Sequence, residues 1–522
     1  MTRSRLEDAR LVRLDRRLAT PLFRQVYQRI RDAILDGTLP PGASLPSSRS
    51  LAAQLSTARG TIELAYTLLA GEDYILGRTA SGTVVNPRLR RLLTPGGRQE
   101  LRRKFTVPPH APSHPTPVRP FQMGLPALDA FPRKLWARLI ARRARSLSET
   151  AMVSQDPAGY APLRRAIAGY LAIARGIRCS TAQIFVTAGY QGALGLITRT
   201  LLAPGDAVWF ENPGYFRGRE ALAKAGAAII PVRVDRDGLD TSFAIKSSPK
   251  GRLAVVTPSH QCPLGVTLSL PRRLELLAWA AKTGAWIVED DYDSEFRYRG
   301  HPLPALKSLD EADRVFYAGS FSKVLSPGLR LGYLVVPSSE LNRFSRDTEL
   351  FAPISSLLDQ MVVADFMIDG HFARHLKQMR RLYAERRNAL VSALHKAFGD
   401  GIVLDVPSGG MHVIGRFPGC RDDVALAASA QRGGLGPFAL SSCAVGKSVD
   451  PGLLLSFTNI PVEAAAREAQ RLLQAIRRLF GSSMNRSGRT RPPASPAAAR
   501  APRAATQPPR RRVRPAIPAV RW

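Results

Sequence analysis

Cysteine is scarce in this chain, with four in 522 residues at positions 179, 262, 420 and 443. No two stand at Cys-x-x-Cys spacing and none joins a histidine cluster, so neither a disulfide framework nor a zinc-ligand set organises the protein. Thiols used this way are expected in a reducing, cytoplasmic setting. Long uncharged apolar runs are also lacking, so no membrane span is expected, and the opening Met1-Thr2-Arg3-Ser4-Arg5 stretch lacks the apolar core of a secretory leader. Acid is in deficit as well. Seventy-five Lys and Arg against 41 Asp and Glu leave a formal charge of +34, which points to an anionic partner, nucleic acid or an acidic membrane surface, without choosing between them.

A chain of this length exceeds one ordinary core, so two or more domains with linkers are expected. After an N-terminal arm over 1–20, a first compact unit is expected over 21–85. Leu22, Val26, Ile30 and Ile34 recur every four residues and predict a helix ending near Gly37. Ser47 is placed to cap a second helix that buries Leu51, Ala52 and Leu55. A break at Ser56-Thr57-Ala58 precedes a third helix with Ile62, Ala65, Tyr66 and Leu69 on its inner face. Tyr74 to Val85 then reads as a hairpin wing.

Helix, helix, tight turn, helix and wing form a winged helix-turn-helix, which presents the start of one helix to the major groove. Arg59 and Thr61 occupy the exposed first turn of that helix, suited to a base edge or a phosphate, and Arg49 is suited to the backbone. A helical protein-binding module would show the same solvated side chains. The segment resembles the GntR family through Gly37-Thr38-Leu39-Pro40-Pro41-Gly42, Leu45-Pro46-Ser47-Ser48-Arg49 and Ser81-Gly82-Thr83. That resemblance implies double-stranded DNA as partner, with Arg49, Arg59, Thr61 and Gly82 approaching it. Two positions depart from the family's pattern: Ser56 and Asp73 stand where it usually has glycine.

Residues 86–119 are rich in proline and base and read as a linker. His110 and His114 there have metal-pair spacing, but the surrounding prolines oppose the helix such a pair needs. The large unit is expected over 120–480. Short apolar runs at 183–187, 207–210, 253–256, 285–288 and 314–317 are separated by helix-length spans, the pattern of an α/β sheet whose ligands gather beyond the strand carboxyl ends.

The turns after these runs carry chemistry. Gly189-Tyr190-Gln191 opens a helix whose free N–H groups suit a phosphate. Tyr215 suits stacking on a ring and Arg217 an anionic ligand, although either reads equally as ordinary packing. His260 suits a ring hydroxyl, although a satisfied turn histidine reads the same. Asp290 and Asp291 suit a protonated ring nitrogen or, taken alone, a metal ion. In Ser320-Phe321-Ser322-Lys323, with Arg330 seven residues on, an amine able to form a Schiff base sits among phosphate partners; alone it is also an ordinary basic turn.

The order of these motifs is similar to that of fold-type I aminotransferases from Phe121 to about Phe480, including Asp156-Pro157-Ala158-Gly159-Tyr160 and Ser408-Gly409-Gly410-Met411-His412. With the GntR-like head, the chain resembles the MocR (GabR/PdxR-like) transcriptional regulators. The resemblance implies a multidomain protein, a winged helix-turn-helix plus an α/β aminotransferase-like domain that binds pyridoxal 5'-phosphate. It implies Lys323 as the Schiff-base lysine, Asp290 at the ring nitrogen, Tyr292 at the ring oxygen and Tyr215 as the stacking ring. It also implies Arg330, Ser320 and Ser322 at the phosphate and Arg217 as an effector contact, in a homodimer that senses pyridoxal phosphate or an amine or amino-acid effector. One departure bears on chemistry: Leu454 matches the position where aminotransferases often carry a substrate-carboxylate arginine. Ordinary transamination is therefore not the first expectation, the rival being an active aminotransferase with a vestigial head. The segment 481–522, with ten arginines and no acid, is expected to be disordered, and without it the formal charge is still +24.

Overall fold

The computed structural model describes residues 14–18, 20–78, 82–91, 117–153, 155–298, 300, 304–351, 355–446 and 449–487. They fall into two compact units divided between Thr116 and Pro117. The linker histidines His110 and His114, and the segment beyond 487, lie outside the described residues.

In the head, α1 spans Leu22–Asp36 and ends on Gly37 in the left-handed conformation. Ser47 Oγ accepts from Ser50 N at 3.1 Å and so caps α2, Ser48–Gln54. The third helix, α3, spans Arg59–Gly71 and buries Ile62, Ala65, Tyr66 and Leu69. These side chains pack with Val26, Ile30, Ile34 and Leu51 into one core, and the Tyr66 hydroxyl donates to Pro46 O at 2.9 Å, tying α3 to the start of α2. Strands β1 (Ser44–Leu45), β2 (Ile75–Arg78) and β3 (Gly82–Val85) form an antiparallel sheet in the order β1-β3-β2. The last two are the wing; its turn, 79–81, lies outside the described residues.

The large unit is built on an eight-stranded sheet. Its strands are β4 (Ile184–Thr187), β5 (Ala207–Asn212), β6 (Ala228–Asp235), β7 (Gly238–Leu239), β8 (Leu253–Val256), β9 (Trp286–Asp291), β10 (Val315–Ser320) and β11 (Gly332–Val335). The order is β4-β11-β10-β9-β8-β5-β6-β7. Strands β10, β9, β8, β5 and β6 run parallel, while β11 runs antiparallel to both β10 and β4. Both faces are covered, so the central strands are apolar throughout rather than alternating. Phe185, Val208, Val255, Val288, Phe316 and Leu334 pack on one face with the helix Gly189–Leu201. Ile287, Val315 and Trp209 pack on the other face with the helix Leu270–Thr283.

The strands run further than the apolar runs predict. Glu289, Asp290 and Asp291 belong to β9, Asn212 to β5 and Ser320 to β10, because ladder pairing with neighbouring strands continues whatever the side chain. Strands β6, which contains Pro231 and is partly exposed, and β11 were not among the expected runs.

A second, antiparallel sheet has the order β12 (Val403–Asp405), β13 (His412–Arg416), β15 (Leu453–Ser456) and β14 (Phe438–Ala439). Helices His371–Phe398 and Ala465–Ser487 belong to this part of the chain, and the latter crosses the expected boundary at 480. Among the described residues, no helix is long and apolar enough to cross a membrane.

Candidate cofactor site

The parallel strands β5, β8, β9 and β10 all end on the same edge of the sheet. Strand periodicity decides which way each terminal side chain points. Asp290 pairs in register with Ala318 of β10 and shares the face of Val288, the face covered by the helix Gly189–Leu201. Tyr190, in the first turn of that helix, brings its hydroxyl to Asp290. Asp291 takes the opposite face, where Arg175 Nη2 lies 2.7 Å from Oδ2 and the Tyr317 hydroxyl donates to the same oxygen at 2.5 Å. The two adjacent acids therefore have separate tasks, and only Asp290 faces the site. Burial pushes the Asp290 carboxyl well above its usual range and the neighbouring Asp291 charge adds to this, while the Tyr190 hydroxyl and Lys323 oppose it.

Lys323 follows β10 by three residues. Its Nζ donates to Gly124 O at 3.0 Å, and a Cβ on Gly124 would stand 2.9 Å from that nitrogen. Burial lowers the Lys323 amine below its ordinary value, against the pull of Cys262, Asp293 and Asp290 and with the repulsion of Arg217. A depressed amine is the more nucleophilic at neutral pH.

Tyr215 ends the turn after β5 and meets Tyr190 edge-on, ring centroids 6.0 Å apart. Burial and then Asp290 raise its phenol, while Arg217 and Arg330 lower it, which places both arginines close to this ring. Arg217 itself is exposed and lies over the Phe216 ring at 5.8 Å. Of the residues expected at the anion seat, the structure brings the start of the Gly189 helix close to the Arg330 backbone. Gly189 begins its helix with a positive φ of 73°, and a Cβ on it would meet the Arg330 backbone carbon at 4.0 Å. Ser320 Oγ accepts from Ser322 N at 3.2 Å, leaving the Ser320 hydroxyl hydrogen free to donate elsewhere. Gln191 is exposed on the same helix turn. His260, at the end of the β8 turn, holds Tyr292 through an Nδ1 to hydroxyl contact of 3.0 Å.

Three contributors escaped sequence reasoning. Gly124 lies 199 residues from Lys323, with no motif to mark it. Ser355 Oγ donates to Thr187 O at 3.2 Å and Arg330 O at 3.0 Å, tying β4 to the arginine. Asp293, in the turn after β9, sits 3.1 Å from His260 Nδ1. Among the described residues, no group of three or more His, Cys, Asp or Glu is placed to hold a metal ion.

Residues 22–85 match the family model "Bacterial regulatory proteins, gntR family" and residues 128–431 match "Aminotransferase class I and II". The chain is 37% identical to the probable rhizopine catabolism regulatory protein MocR of Rhizobium meliloti over 86% of this chain and 92% of that one. This chain belongs to the MocR-type regulators. It is also 34% identical to the pyridoxine biosynthesis transcriptional regulator PdxR of Corynebacterium glutamicum, over 84% of this chain and 92% of that one. Among solved structures, the α-aminoadipate aminotransferase LysN of Thermus thermophilus, complexed with N-(5'-phosphopyridoxyl)-L-leucine, matches with a TM-score of 0.63 and 29% identity, over 69% of this chain and 92% of that one. The MocR-type assignment accounts for both units: a GntR head, which implies DNA binding, and an aminotransferase-type unit, whose solved neighbours include the kynurenine aminotransferase of Pyrococcus horikoshii in complex with PMP.

Proposed function

We propose that the aminotransferase-like unit of this MocR-type regulator takes pyridoxal phosphate at Lys323 and senses either that cofactor or an amine-bearing effector competing with Lys323 for it. The observation carrying this reading is the convergence of one amine and one buried carboxylate, Lys323 and Asp290, at the carboxyl ends of neighbouring parallel strands. The donor set suits the cofactor. When bound, pyridoxal phosphate supplies an aldehyde for amine capture and an electron-withdrawing ring. Lys323 supplies the amine, Asp290 the carboxylate for a ring nitrogen, Tyr292 a hydroxyl for a ring oxygen and Tyr215 a stacking surface. Ser320, Ser322, Arg330 and the helix start at Gly189 supply hydrogen bonds and charge for a phosphate.

Leu454 supports sensing over turnover. It lies on β15, buried with Ile414, Leu440 and Cys443 and packed against Met123, Leu264 and Phe438, so position 454 offers no cation for an α-carboxylate. Arg217 is a cation near Lys323 and Tyr215 that is not assigned to the phosphate. In a homodimer, two heads would address paired half-sites. Ligand control then requires that the ligand bind one arrangement of heads better than another.

The test is a spectrum. Purified protein with pyridoxal phosphate should give a visible-region band absent from Lys323→Ala, no sustained amino transfer to keto acids, and promoter binding that changes with ligand. Sustained turnover with ligand-independent promoter binding would instead establish an aminotransferase with a vestigial head.

A further inference from the structure

Beside His260 lies a cavity of about 20 Å³ whose lining includes Arg175, Ser259, Asp293, Ser294 and Arg297. That is room for a water-sized occupant. Its wall holds several buried polar atoms without a hydrogen-bond partner among the described residues: His260 Nε2, both carboxylate oxygens of Asp293, Ser294 Oγ and Arg297 Nε. Buried polar atoms left in this state are costly unless water or a specific task satisfies them. His260 is the link between this cavity and the cofactor site.

The His260 ring is fixed. A Cβ on Gly410 would fall 2.0 Å from its Cε1 and one on Gly265 would fall 2.9 Å from its Nε2, so two bare glycine backbones, both at positive φ, close on the imidazole. The ring is 7% exposed and Asp293 is 1% exposed. Nδ1 faces two oxygens: the Tyr292 hydroxyl in line at 3.0 Å and Asp293 Oδ2 at 3.1 Å. A carboxylate at that distance tolerates a proton on Nδ1 and repels a bare lone pair. At the other end, Nε2 has no hydrogen-bond partner among the described residues, so nothing there calls for a proton. The Asp293 contact therefore selects the tautomer, Nδ1–H with Nε2 unprotonated. Nδ1–H then donates to the Tyr292 oxygen, which leaves the Tyr292 proton free to donate away from His260.

We propose that Asp293 is a positioning residue that fixes the His260 proton on Nδ1 and thereby makes Tyr292 a hydrogen-bond donor to the cofactor site. The proposal rests on the reading of Lys323 as the cofactor lysine. The other groups around His260 do not replace Asp293. The His412 ring lies 6.0 Å away and is lowered to about 4, chiefly by burial, so it is neutral at physiological pH; its Nε2 is held 2.8 Å from Pro263 O. Arg175 is engaged with Asp291 and Ser259.

The test uses the full chain labelled with ¹⁵N-histidine, with His260→Gln identifying the signal. Wild-type protein without added cofactor should show Nδ1–H and bare Nε2 for His260. In Asp293→Asn, whose amide can donate to Nδ1, the tautomer should move to Nε2–H. With pyridoxal phosphate, the midpoint of the band's pH titration should shift by about one pH unit in Asp293→Asn, and by nothing further when Asp293→Asn is added to Tyr292→Phe. An Nε2–H tautomer in the wild type, an unchanged tautomer in Asp293→Asn, or an equal titration shift in the Tyr292→Phe background would overturn the proposal. Failure of the wild type to form any band would refute the Lys323 reading, while the ¹⁵N signals still decide where the His260 proton resides.

Discussion

Ser56 and Asp73 hold left-handed backbone, with φ of 47° and 59°. They are the two positions where the resemblance to GntR heads leads one to expect glycine. The turn before α3 and the turn after it both demand positive φ, and a Cβ there costs about 1 kcal/mol or more. Asp tolerates this region better than Ser. Ser56→Gly is therefore expected to stabilise the head by about 1 kcal/mol, and Asp73→Gly by less. Calorimetry on the full chain, following the head's transition, would read both; no rise in Tm for Ser56→Gly would show that other contacts offset the strain. At the same scale, Lys323 was legible only through the order of motifs along the chain, since Ser-Phe-Ser-Lys alone is also an ordinary basic turn. Gly124 and Asp293 were not, because a carbonyl 199 residues away and a carboxylate beside a histidine carry no local pattern. The resemblance had singled out Asp290 rather than Asp291, and strand register supplies the physical reason by sending the two acids to opposite faces.

Among elements, α3 carries the sharpest expectation. Its buried residues Ile62, Ala65, Tyr66 and Leu69 were readable because helix periodicity survives any tertiary detail. Arg59, in its first turn, is exposed and paired with Glu63, Nε to Oε1 at 2.7 Å. The pair leaves the guanidinium at the helix start, where a base edge or phosphate would compete with the carboxylate. Arg59→Ala should weaken specific promoter binding by roughly 10-fold or more, the range of one bidentate base contact. Binding to non-operator duplex should change much less. Equal losses on both in a gel shift would mark Arg59 as a phosphate contact instead. The sheet strands were legible where they were fully buried. Their polar ends were not, because apolar periodicity stops where ladder pairing continues. Strand β6 escaped because Pro231 and partial exposure break the run, and β11 because its Gly-Tyr-Leu-Val sequence follows the lysine turn without a helix between.

Over the whole molecule the charge of +34 sets the long-range behaviour. Truncation after Ser487 removes nine arginines and leaves +25. If those arginines contact DNA, affinity for non-operator duplex should fall and the dependence of log affinity on log salt should flatten. Fluorescence anisotropy at two salt concentrations would measure it, and an unchanged slope would exclude the segment from DNA contact.

The sequence by itself determined the winged helix-turn-helix and the aminotransferase-like fold, and it marked the amine, acid and hydroxyl candidates of the proposed cofactor site. Each of these is encoded locally, by periodicity or by a short motif. Tertiary structure alone decided why Asp290 and Asp291 take opposite faces, which carbonyl holds the Lys323 amine, and how Asp293 reaches Tyr292 through His260. Those relations depend on strand register and on backbone approach between segments far apart in the chain, and no window of sequence contains both partners.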